Sequence, residues 1–157
     1  MRHSLFSAVA ALALMAAPAF AGQHNSAPTW QDATSNAYAK HGSASALSLN
    51  NNAIDQSNLK VGGKKYSPFY QSNDAPTHQT ATSDAYAKRG DASATSVNTN
   101  EILQDNSAFG GKKKSPLYQS NSAPTTQTAT SKAVSIGGDA NALSANSNAV
   151  SQSNGRE

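Results

Sequence analysis

Cysteine is absent from the chain, which excludes a disulfide framework, a thiolate metal centre and a lipid-modified cysteine at a leader cleavage site. Charge is sparse as well. Twelve Lys and Arg stand against nine Asp and Glu, and without Arg2 the balance is eleven to nine, too little charge to keep a chain expanded by self-repulsion. Large apolar side chains are rarer still. Beyond residue 21, Leu, Ile, Val and Phe make up roughly a tenth of the residues, below the ~20% under which a conventional hydrophobic core is doubtful, so a compact monomeric globule is not expected. Asn-x-Ser/Thr glycosylation acceptors are missing despite the abundance of Asn, which fits a bacterial exported protein better than a eukaryotic secreted one.

The single long apolar run is Leu5 to Phe20. It follows a positively charged Met1-Arg2-His3 start and ends in Ala19-Phe20-Ala21, a small-x-small cleavage pattern, and it is short for a bilayer span. Residues 1–21 therefore read as an export signal, with the processed chain starting near Gly22. With no second apolar stretch, a soluble or surface-assembled product with no membrane span is expected.

What fills the remainder is amide and small side chains, about one Asn or Gln in every six residues among many Ala, Ser and Thr, a composition that can satisfy itself by stacking identical amides between strands. The order of these residues is regular. Residues 26–61, 74–109 and 122–157 are one segment written three times at a spacing of 48 without a gap, and the unchanging columns fall on every second residue, the period of a strand. The first copy holds Ala44, Ala46, Ser48, Asn50, Asn52, Ile54, Gln56 and Asn58 in these columns. The second holds Ala92, Ala94, Ser96, Asn98, Asn100, Ile102, Gln104 and Asn106, and the third Ala140, Ala142, Ser144, Asn146, Asn148, Val150, Gln152 and Asn154. Between them the residues drift, as in the column Leu49, Val97, Ala145. One strand face is thus held to a fixed pattern, and its residues are expected to form a stacking ladder.

Each copy divides into a first strand after Pro28, Pro76 or Pro124, a bend at Gly42, Gly90 or Gly138, and a second strand carrying the ladder. A continuous second strand through Asn58 would run about 55 Å at roughly 3.3 Å per residue, so further bends are expected within it. Residues 62–73 and 110–121 read as connectors, each with Gly-Gly-Lys-Lys followed by Ser-Pro and Tyr-Gln-Ser-Asn. The expected fold is all-β: a three-repeat parallel β-solenoid or cross-β subunit, disordered before assembly. Monomeric solenoids carry polar capping units. Here about four residues precede the first copy after cleavage and the third copy ends in Gly155-Arg156-Glu157, too short to cover an edge, so open edges and head-to-tail polymerisation are expected.

An exported, Cys-free, low-charge chain of imperfect repeats ending in Asn-x-Asn-x-Ile/Val-x-Gln-x-Asn resembles the subunits of bacterial functional amyloids, the curli and Fap types. The resemblance implies export through an outer-membrane pore, a possible nucleator subunit and self-assembly at the cell surface into fibres that build biofilm matrix. The spacing of 48 is longer than the curli unit, and the Ser-x5-Gln-x-Gly-x-Gly-Asn arrangement of curli is not reproduced.

Chemistry of other kinds finds little support. His24, His41 and His78 are not repeated in all three copies and no pair has ligand spacing, so neither metal nor cofactor is expected. No nucleophile elbow accompanies the Ser, His and Asp residues, and an enzyme is not expected. Lys64, Lys65, Lys112, Lys113 and Lys114 follow paired glycines without the phosphate-loop spacing. They read as solvated turns, with extracellular DNA or acidic polysaccharide as a possible multivalent partner. Tyr66, Tyr70 and Tyr118 nearby either stack on such a partner or pack back on the rung. Two rival functions are a disordered secreted adhesin or coat component, and an ice-binding solenoid suggested by Thr80-Ala-Thr82 and Thr128-Ala-Thr130. Alternation kept in phase over the whole second strand opposes the first, and Asp32 in the first copy opposes the second.

Overall fold

A computed structural model describes residues 22–62, 68–109 and 116–156. Residues 1–21, read above as an export signal, and the Gly-Lys-Lys centres of both connectors lie outside the described residues. Nine strands form three rungs of three: β1 (Gln23–Ser26), β2 (Thr29–Ala39) and β3 (Ala44–Val61); β4 (Phe69–Asp74), β5 (Thr77–Ala87) and β6 (Ala92–Phe109); β7 (Leu117–Ser122), β8 (Thr125–Ser135) and β9 (Ala140–Arg156). Equivalent strands pair in parallel, giving sheets β1-β4-β7, β2-β5-β8 and β3-β6-β9. In all three the register is an unbroken offset of 48 residues. The fold is therefore an all-β, three-repeat parallel β-solenoid, with no helix among the described residues.

Sequence and structure differ at two places. The ladder strand does not bend: β3 and β6 each run 18 residues without interruption, because every inward residue finds its own copy in the next rung and no position favours a break. The end of each connector is itself strand. Phe69–Asp74 and Leu117–Ser122 pair with each other, and Gln23–Ser26 extends the first rung ahead of residue 26. The Tyr-Gln-Ser-Asn run is thus a third side of the rung.

Corners keep the backbone satisfied. At the proline corner Ala27 and Thr29 donate N–H to Asp74 and Pro76 carbonyls at 2.9 and 2.8 Å, and the proline between them occupies the one place where a ladder donor is not needed. At the other corner the glycine column brings backbones together. Gly90 has φ of 134°, and a Cβ there would collide with the Gly42 carbonyl, just as one at Gly138 would collide with that of Gly90.

β2 lies across from β3, β5 from β6 and β8 from β9, and the interior between these layers is thin. Ala44, Ala46, Ala85, Ala87, Ala92 and Ala94 form an apolar cluster beside the glycine corner, and Ile54, Ile102, Ala27 and Ala75 form another beside the proline corner. Between the two clusters the buried residues are Ser, Thr, Asn and Gln, with Ala81 among them. Small side chains let the layers approach closely enough for serine hydroxyls to cross the interface. Ser83 Oγ donates to the Thr95 carbonyl at 2.6 Å, and Ser96 Oγ to the Thr130 carbonyl at 2.7 Å.

Candidate functional site: the amide ladders and the two rims

A buried primary amide has two donors and an acceptor to satisfy. Stacking in register supplies part of this at each step, and facing backbone carbonyls supply the rest. Asn50 Nδ2 donates to Asn98 Oδ1 at 3.0 Å, and Asn98 Nδ2 donates to Asn146 Oδ1 at 2.9 Å and to the Thr128 carbonyl at 2.7 Å. The columns Asn52–Asn100–Asn148 and Asn58–Asn106–Asn154 repeat the pattern at 2.7 to 2.9 Å. Gln104 Nε2 donates to Gln56 Oε1, and Gln152 Nε2 to Gln104 Oε1, both at 2.8 Å. All the residues expected in the ladder point inward in the first two rungs, and the third rung stacks on them with its outer side open.

Three further columns complete the interior: Asn25–Asn73–Asn121, Gln23–Gln71–Gln119 and Gln31–Gln79–Gln127, each linked by amide bonds of 2.7 to 3.1 Å. The first two were missed as ladders because they fall in the supposed connector. Their signal is legible all the same, since Gln-x-Asn recurs at 23, 71 and 119 with the strand period. Asn73 ties the sides of the rung together, donating to Asn121 Oδ1 at 3.1 Å, to the Asp105 carbonyl at 3.0 Å and to Asn106 Oδ1 at 3.2 Å.

The ladders have a direction. In every Asn column the nitrogen donates toward the third rung. In every Gln column it donates toward the first. The rim of the first rung therefore presents Asn oxygens and the rim of the third presents Asn nitrogens and Gln oxygens. One atom makes the consequence visible: among the described residues Asn52 Oδ1 is the buried side-chain polar atom without a partner, although Asn52 is only 2% exposed.

The outward face carries the drifting residues. Trp30 and Tyr38 are 77% and 70% exposed. Tyr38 stacks on Tyr86 with rings 5.3 Å apart, and Tyr70 on Tyr118 at 4.8 Å, so these tyrosines pack along the rungs. Trp30 leans on His78 at 4.3 Å. Thr34, Thr82 and Thr130 share one outward column, while the neighbouring column reads Asp32, Thr80, Thr128. The Lys64, Lys65 and Lys112 to Lys114 clusters lie outside the described residues. One cation is drawn inward: Lys60 sits over the Phe69 ring at 4.1 Å from its centroid, and burial, then the Arg156 charge two rungs above it, hold its pKa below the ordinary lysine value.

Among the described residues no cluster of three or more His, Asp or Glu could hold a metal ion, and no helix is long and apolar enough to cross a membrane. Comparison with protein-family models, curated proteins and solved structures finds no match.

Proposed function

We propose that this protein is an exported structural subunit whose rungs polymerise head-to-tail into extracellular amyloid-like fibres, serving as biofilm matrix, adhesive or surface coat. The observation that carries the reading is the pair of open rims. Both end rungs offer full-length strands, and among the described residues no strand pairs with the outer edge of β1, β2 and β3 or of β7, β8 and β9. An exposed edge of this length is a template for another chain. The template already repeats its own partner at 48-residue steps, so a second copy extends the same ladders with no new chemistry. A heterologous contact that does not close produces an open filament.

In this reading the protein has no catalytic role and needs no cofactor. Its partners are further copies of itself, an outer-membrane export pore and a nucleating subunit, as the resemblance to curli and Fap subunits implies. The connector lysines, repeated at every subunit along a fibre, would capture extracellular DNA or acidic polysaccharide multivalently. The decisive experiment is assembly of the chain lacking residues 1–21 after removal from denaturant. A lag followed by thioflavin-positive filaments with a meridional reflection near 4.7 Å is expected. Persistently disordered monomer at tens of micromolar over days would overturn the reading.

A further inference from the structure

The direction of the ladders specifies how two copies meet. We infer that the first-rung rim is the receptor for the third-rung rim of a second copy, joined in the same 48-residue register, with Asn148 Nδ2 of one copy donating to Asn52 Oδ1 of the next. This rests on the fibre reading and adds to it the geometry of the joint. Inside the molecule Asn52 Nδ2 donates to Asn100 Oδ1 and Asn100 Nδ2 to Asn148 Oδ1, so the column ends with a buried oxygen at one rim and a nitrogen at the other. The buried Asn52 Oδ1 lacks a partner, and an unsatisfied buried acceptor is costly. The atom that removes the cost is the one at the opposite end of its own column.

The remaining columns agree. Asn25, Asn50 and Asn58 place oxygens at the same rim as Asn52, while Asn121, Asn146 and Asn154 place nitrogens at the other. Gln columns run the opposite way and match in the opposite sense. Two identical rims brought together would set oxygen against oxygen in the Asn columns of the first rung, or nitrogen against nitrogen in those of the third. Parallel strands in register also require both copies to point the same way along the fibre.

Cysteine scanning on the outward face tests the joint, because the native chain has no thiol of its own. Asn51, Thr99 and Ser147 form one outward column and Ser45, Ser93 and Asn141 another, and the end members are exposed. In the proposed joint residue 147 of one copy lies about 4.8 Å from residue 51 of the next, inside the roughly 4.4–6.8 Å Cα range of a disulfide. Fibres grown under reductant from an equal mixture of Asn51→Cys and Ser147→Cys subunits, then oxidised, should give mixed disulfide dimers. Fibres of either variant alone should give none. The pair Ser45→Cys and Asn141→Cys should behave identically, which fixes the register toward both ends of the long strand. Homodimers from a single variant, or fibres that form without mixed dimers in both columns, would overturn the joint. Failure of any fibre to form would instead remove the fibre reading on which the joint depends.

Discussion

Replacing Asn98 by Asp changes one atom at the centre of a buried amide column. Asn98 is fully buried. Its oxygen accepts from Asn50 at 3.0 Å, and its nitrogen donates to Asn146 Oδ1 at 2.9 Å and to the Thr128 carbonyl at 2.7 Å. Asp keeps the acceptor and removes both donations, leaving unsatisfied two oxygens that a further copy would bury in a fibre, at about 1–3 kcal/mol each, or about 2–6 kcal/mol together. A tenfold change in equilibrium corresponds to about 1.4 kcal/mol, so the critical concentration for fibre formation should rise between about 30-fold and 10⁴-fold at neutral pH. The loss should depend on pH. A carboxyl facing two oxygens in a desolvated site has its pKa raised above the unfolded value of about 3.9. The penalty is therefore fully present above the raised folded value and shrinks as pH falls through it, when the protonated acid regains one donor. The control is Thr99→Asp, one residue along and facing outward, where an effect of about twofold is expected for a surface change. Pelleting assays across protein concentration at pH 7 and pH 4, each normalised to the unsubstituted chain, read both predictions. Equal effects at positions 98 and 99, or no relief in acid, would refute the ladder argument.

Four further outcomes are expected. Asp at all of Asn50, Asn98 and Asn146 stacks charges about 4.7 Å apart, several kcal/mol per neighbouring pair at an effective dielectric near 20, and should abolish thioflavin-positive assembly, whereas Leu47→Ser, Thr95→Ser and Leu143→Ser together should slow it far less. In the proposed joint Arg156 of one copy lands on Lys60 of the next, the two ends of one column, so assembly should accelerate with salt, and Lys60→Ser should flatten that dependence in light-scattering kinetics. Because the Lys60 pKa is lowered in the folded state, its penalty is fully present below that lowered value and is lost as pH rises through it toward the ordinary 10.5; assembly should therefore be more favourable at alkaline pH, and Lys60→Ser should remove the effect. Trypsin should cut soluble chain at any Lys or Arg but assembled fibres chiefly at Lys64, Lys65 and Lys112 to Lys114; protection of these sites, mapped by mass spectrometry, would show that the connectors are not on the fibre exterior.

The sequence by itself determined the period, the register and the inward face. Identical amides at every second residue, spaced by 48, leave parallel in-register stacking as the arrangement that satisfies them, and Ala44 to Asn58, Ala92 to Asn106 and Ala140 to Asn154 all pair as the alternation requires. The glycine and proline corners were legible for the same local reason, since each residue type restricts or frees the backbone at its own position. Only the tertiary structure decided the rest. Gln71 and Asn73 carry the strand period in the sequence, but the fold decided that they form a third side of the rung: they are buried because β6 packs beside them, with Ser107 and Asp105 carbonyls accepting from their amides. The unbroken length of β3 follows from neighbours above it rather than from its own residues. Ladder direction also needed the fold: Asn and Gln carry the same amide group, and only the structure shows the Asn columns donating toward the third rung and the Gln columns toward the first. That orientation makes the two rims different from each other and complementary to each other.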